Sequence, residues 1–133
     1  GNVKFLPSVT EERYYDVLRA SDIGIVALTE SLESPAIPGK MHNIMAVACP
    51  VVAVVPSTGD TADVVRESRC GFVVVPGDIK GMRNRIEELA ACPDLRRELG
   101  AHGRSYAEQN FSLNKAADVY ERILETSRDR TTQ

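Results

Sequence analysis

The sequence predicts an α/β domain: a parallel, Rossmann-like sheet of about four strands with helices on both faces, followed by a C-terminal helical segment. Three observations carry this reading. Four short β-rich runs stand out, and the last three are nearly continuous apolar blocks, as suits strands covered on both faces. Helix-sized segments separate them, giving the order β-α-β-α-β-α-β. After Pro76-Gly77-Asp78 the strand signals stop and helical spacing takes over.

The first β-rich run is Val3 to Leu6. Thr10 then caps a helix through Ala20, with Glu11 and Glu12 in its positive first turn and Tyr14, Tyr15, Val17 and Leu18 on an apolar side. Ile23 to Leu28 is the second strand, and Lys40 to Ala48 reads as the second helix. Val51 to Val55 is the third strand. Asp60 or Thr61 starts a helix carrying Val64 and Val65, and Gly71 is expected to end the turn after it. Phe72 to Val75 completes the sheet. Three helices follow: Ile79 to Ala91, Asp94 to Gln109 with a weak point at Gly100 and Gly103, and Ser112 to Ser127. Ile86, Leu89 and Ala90 are spaced as a buried face, as are Val119, Ile123 and Leu124. The 133 residues fit one domain, with residues 1–77 forming the sheet region and 78–133 the helical region.

Composition narrows the function. Sixteen Lys and Arg against nineteen Asp and Glu give a net charge of -3, with no basic block and few aromatics, which speaks against a nucleic-acid surface. The longest apolar stretch, Ile44 to Val55, is too short to span a bilayer and contains Pro50, and no signal sequence opens the chain. Cys49, Cys70 and Cys92 have no Cys-x-x-Cys spacing and read as free thiols of a reducing compartment, so the expected location is the cytoplasm. No metal-ligand spacing, Ser-His-Asp order, Walker loop or Gly-x-Gly-x-x-Gly fingerprint is present, and neither a metal nor a cofactor is expected.

Ligands of doubly wound sheets collect at the carboxyl ends of the strands, which directs attention to the loops 7–9, 29–39, 56–60 and 76–78. The longest ends in Pro38-Gly39-Lys40 where the second helix begins. A helix N-terminus presents N–H groups without intrahelical partners, and a glycine there lets an anion approach. Lys40 adds a point charge suited to a diphosphate, and Asn43, one turn on, can direct its amide at hydroxyls. The bland reading stands beside this one: Pro-Gly is a common turn pair, and Lys a common surface residue. His42 could serve a leaving group or a donor hydroxyl, but beside Met41 and Ile44 a lone His is more often packed or exposed. Glu30 and Glu33 lie near the presumed cleft, where two acids in a polar loop are ordinarily solvated. Met41 and Met45 are spaced to fill core. His102 has no acid or nucleophile beside it in sequence.

Taken together, "NVKFLPSVTEERYYDVLRASDIGIVAL", "LESPAIPGKMHNIMAVACPVVAVV", "CGFVVVPGD" and "LGAHGRSYAEQNFSLNKAADVYERIL" resemble, over almost the whole chain, the C-terminal half of a GT-B glycosyltransferase of the retaining family 4. Many members carry two glutamates eight positions apart, where this sequence has Pro35 and Asn43. With Pro38-Gly39-Lys40 this pattern resembles the subgroup of fucosamine and colanic-acid transferases of bacterial surface polysaccharides. The resemblance implies a nucleoside-diphosphate sugar as substrate, with the N–H groups of Gly39, Lys40 and Met41 facing its diphosphate. It places the backbone around Leu6, Pro7 and Ser8 near the base, Asn43 near the ribose and Glu33 near the donor sugar. The acceptor, a glycan or lipid-linked molecule, would be held by an N-terminal domain, and the full-length enzyme would associate peripherally with the inner face of the membrane. This segment alone is not expected to catalyse transfer.

In that family six strands are ordered 3-2-1-4-5-6, and this sequence resembles the part beginning at the third. The resulting bare edge is expected to be repaired by pairing of Val3–Leu6 with the Ile23 strand, by strand exchange between chains, or by self-association. The alternative readings are a non-catalytic α/β regulatory or oligomerisation module and a GT-B-type nucleotide-sugar epimerase. A receiver domain is disfavoured, since no acidic pair follows a first strand.

Overall fold

The computed structural model describes residues 2–29 and 37–131. Its elements run α1 (Glu11–Arg19), β1 (Gly24–Ala27), α2 (Gly39–Ala46), β2 (Val51–Val54), α3 (Asp60–Ser68), β3 (Gly71–Val74), α4 (Ile79–Ala91), α5 (Pro93–Asn110) and α6 (Leu113–Thr131). The three strands are parallel in the order β1-β2-β3, with Gly24 opposite Val51 and Val51 opposite Gly71. This is the α/β architecture expected, with one strand fewer among the described residues. Val3 to Leu6 forms no strand: Val3 is 69% and Phe5 94% exposed. A strand needs a neighbour to take its backbone hydrogen bonds, and none of the described strands takes this one. Pairing of Val3–Leu6 with β1 is therefore not how the outer edge of β1 is treated.

Helices lie on both faces of the sheet, but only β2 is buried on both: β1 alternates buried and exposed, with Ile25 48% exposed, and Gly71 to Val73 of β3 are half-buried, so the expectation of strands covered on both faces holds for the central strand alone. Val51 and Ala53 join Met41, Ile44 and Met45 of α2, Val65 of α3 and Ala107 of α5 in the larger core. Val52 and Val74, pointing the other way, join Leu89 of α4 in the smaller one. The period-2 alternation of β2 thus divides the helices between the two faces. Val51, Val52 and Ala53 are all fully buried, which explains why their sequence shows no polar alternation.

The expected Thr10 cap of α1 forms, and Asp78 of the Pro76-Gly77-Asp78 turn caps α4. Thr10 accepts from the Arg13 N–H, and Asp78 accepts from the Gly81 N–H at 2.8 Å. At α3 the expectation fails. The left-handed residue that ends this helix is Arg69, at φ 51°, and Gly71 is instead the first residue of β3. A Cβ on Gly71 would lie 1.8 Å from the Val51 carbonyl oxygen, so this glycine serves strand approach and not helix termination.

The expected weak point in α5 is also corrected. The helix runs unbroken through Gly100 and Gly103, because these are the positions where it packs most closely. A Cβ on Gly100 would meet the Ala48 carbonyl oxygen at 2.0 Å, and one on Gly103 would meet the Cys70 Cβ at 2.8 Å. The missing side chains let α5 lie against the C-terminal end of α2 and the start of β3. Two expected buried faces are less buried than predicted. Leu89 is sealed and Ile86 half-buried, but Ala90 is exposed. On α6, Val119, Ile123 and Leu124 are 43%, 55% and 61% exposed, because helical spacing marks a face without supplying what covers it.

Gly100→Ala is expected to destabilise the chain by about 1–3 kcal/mol, since the clash is with backbone and cannot be relieved by a rotamer change. Urea unfolding monitored by circular dichroism measures it.

Candidate functional site at the start of α2

β1 leaves the sheet at Ala27 and the chain returns as α2 at Gly39, so the N-terminus of α2 stands at the carboxyl rim of the parallel sheet. Three inward residues hold it there. Met41 and Met45 are fully buried and Ile44 nearly so, which makes the inner side of this eight-residue helix part of the main core. The N-cap is Pro38, whose ring has no group that can accept from the first turn.

Consequently the first amides are left without side-chain caps. The Met41 N–H, expected from the resemblance to face a diphosphate, donates to the Pro38 carbonyl at 2.9 Å. The Gly39 and Lys40 N–H groups have no acceptor among the described residues. Both residues are exposed, and Lys40 makes no ion pair among the described residues. A Cβ on Gly39 would meet nothing within 4 Å among the described residues. Two amides without acceptors among the described residues and the positive end of a helix therefore meet at one exposed spot, and the exposed Lys40 belongs to the same turn.

Asn43 and His42 lie on the next part of the helix and turn differently. The Tyr15 hydroxyl of α1 donates to Asn43 Oδ1 at 3.4 Å, leaving the amide's own N–H groups available. His42 takes the packed option: its ring lies 4.3 Å from that of Phe111, and its Nε2 is buried without a hydrogen-bond partner. Burial pushes its pKa below the ordinary 6.5, so the imidazole is neutral at pH 7. The ring is thus engaged with α5, away from the Gly39 amide. A cavity of ≈ 360 Å³ opens beside it, between His42 and Asn43 on α2 and Arg104, Glu108 and Phe111 on α5. Arg104 and Glu108, one turn apart on α5, are paired on its α5 side at 2.8 Å.

Pro7 and Ser8 are exposed in the segment before α1 and make no hydrogen bond among the described residues. Glu33, with Glu30 and Pro35, lies outside the described residues. No cluster of three or more His, Cys, Asp or Glu side chains that could hold a metal occurs among the described residues. Burial, aided by Asp22, pushes the Cys49 thiol up to about 11, and burial also raises Cys70, so neither is a nucleophile at neutral pH.

Tyr15, Arg104 and Phe111 are the neighbours that sequence reasoning missed. Tyr15 carried a signal only as part of an apolar helical side, and nothing local distinguishes its hydroxyl as a partner for a residue 28 positions away. Phe111 had a signal in the Phe-Ser pair before the last helix.

With the geometry in place, comparison with known proteins is informative. The family described as glycosyl transferases group 1 matches residues 1–92. A D-inositol 3-phosphate glycosyltransferase of Rhodococcus erythropolis (strain PR4 / NBRC 100887) is 32% identical over 119 residues, which is 89% of this chain and 25% of that protein. One of the same description from Streptomyces scabiei (strain 87.22) is 30% identical over 122 residues, 89% of this chain and 26% of that protein. The chain therefore spans about a quarter of the length of these relatives. No solved structure matches. No helix among the described residues is long and apolar enough to cross a membrane.

Gly39→Ala is expected to change stability by less than about 0.5 kcal/mol, in contrast to Gly100→Ala, because its new methyl meets only open space. The same urea titration distinguishes the two.

Proposed function

The chain belongs to the glycosyl transferases group 1 family, and from that premise we propose that it is the part of a glycosyltransferase that binds a nucleoside-diphosphate sugar. The observation that carries the proposal is the uncapped N-terminus of α2 at the sheet's carboxyl rim, where the amides of Gly39 and Lys40 have no acceptor among the described residues and Lys40 brings a positive charge to the same turn. Such a spot favours a dianionic or trianionic group. In transfer, negative charge builds on the departing diphosphate, and donors already pointing at it stabilise the transition state more than the ground state. Positioning supplies the rest. Asn43, with its Oδ1 occupied by Tyr15, offers N–H donors to a ribose oxygen. The base would rest near Leu6, Pro7 and Ser8, and Glu33 would approach the donor sugar.

The finer reading is a retaining transferase of the fucosamine and colanic-acid type, working in the cytoplasm on a glycan or lipid-linked acceptor at the membrane's inner face. Its support is the Pro38-Gly39-Lys40 element together with Pro35 and Asn43 at the two positions where many relatives of family 4 carry glutamate. The two relatives above are named for inositol 3-phosphate as the molecule glycosylated. The acceptor and any base would come from the longer protein.

Titration with uridine diphosphate followed by amide NMR is expected to move the Gly39 and Lys40 resonances, with a Kd on the order of 1 mM. Lys40→Ala is expected to weaken binding about tenfold, with the difference shrinking in high salt. Absence of any perturbation at Gly39 and Lys40 would sink the donor-site assignment.

A further inference from the structure

Phe111 is the last point at which α5 touches the body of the protein before the chain becomes α6. Its N–H closes α5 on the Ala107 carbonyl at 2.8 Å, and its ring packs at the margin of the main core. One side of that ring faces His42 of α2, with centroids 4.3 Å apart, and Tyr106 meets it edge-on at 5.6 Å. The next residue, Ser112, caps α6 by accepting from the Lys115 N–H at 3.3 Å. From Leu113 to Thr126 every described side chain is exposed. The direction in which α6 leaves the domain is therefore set at the Phe111–Ser112 junction, and that junction rests on His42.

The His42 side of the contact tolerates only a neutral ring. Its Nε2 is sealed from solvent with no partner, and an imidazolium must place N–H donors at both ring nitrogens. Among the described residues no free carboxylate is positioned to receive one. From α5, Glu108 lines the same cavity but is paired with Arg104 at 2.8 Å, and that guanidinium adds like charge. From α1, the facing group is the Tyr15 phenol, already bonded to Asn43. From α3, Glu67 accepts from the Tyr106 hydroxyl at 2.9 Å. The ≈ 360 Å³ cavity beside the ring gives it somewhere to go. We propose that His42 and Phe111 form a proton-operated latch, which fixes the departure of α6 while the imidazole is neutral and releases it when the imidazole swings into the cavity to be hydrated.

The sign follows from burial, which lowers the pKa of His42 below 6.5 in the closed form. The latch is fully closed above pH 6.5 and opens as the pH falls through that lowered value. Hydrogen exchange of residues 107–116, corrected for intrinsic rates, tests this between about pH 5 and about pH 7.5. In the 133-residue chain, protection of this segment is expected to fall about tenfold on acidification, while that of β2 is unchanged. His42→Gln, which cannot take up a proton, should show no acid-specific loss. Phe111→Leu should show low protection at both ends of the range, which keeps the test decisive if the glutamine variant folds poorly. Equal acid loss in wild type and His42→Gln, or unchanged wild-type protection at the acid end, would overturn the latch.

Discussion

Everything at the proposed site depends on the burial of one side of α2. Met41, Ile44 and Met45 are pressed between the sheet and α5, and an eight-residue helix has too few internal hydrogen bonds to persist without that packing. Because those three side chains point inward, Gly39 and Lys40 face outward at the sheet's carboxyl rim, and His42 and Asn43 face the flanking helices. A single constraint thus decides both what the helix offers to solvent and what it offers to its neighbours.

Two glycines in a different helix make this burial possible. Gly100 and Gly103 bring α5 close enough to touch the Ala48 carbonyl and Cys70. Glycine is a poor helix former in isolation, costing about 1 kcal/mol relative to alanine. Here that local cost is offset by close contact along the length of α2. The same approach delivers Phe111 to His42 at the far end of α5, so the helix that seals the core also reaches the residues next to the open amides.

The functional reading joins two kinds of observation. Family membership identifies a class of chemistry, and the geometry supports the proposed place for an anion in this chain. They meet at the start of α2, where proline cannot cap the helix and glycine does not shield it. The neutral Asn43 and its Tyr15 partner make this site less charged than a carboxylate pair would, with donors predominating over acceptors.

From its residues alone, the chain determined most of its elements and their order. Continuous apolar runs marked the three strands, Thr10 was a visible cap, and Pro38-Gly39-Lys40 marked a helix start with exposed donors. These signals are local, since each depends on residues within a turn or a strand. Tertiary structure decided the rest. Val3 to Leu6 has strand composition but no pairing strand, Val119, Ile123 and Leu124 have helical spacing but no covering surface, and Gly100 and Gly103 read as weakness until α2 lies against them. In each case the outcome turns on a partner far away in sequence, and periodicity can say that a face wants burial without saying whether anything is there to bury it.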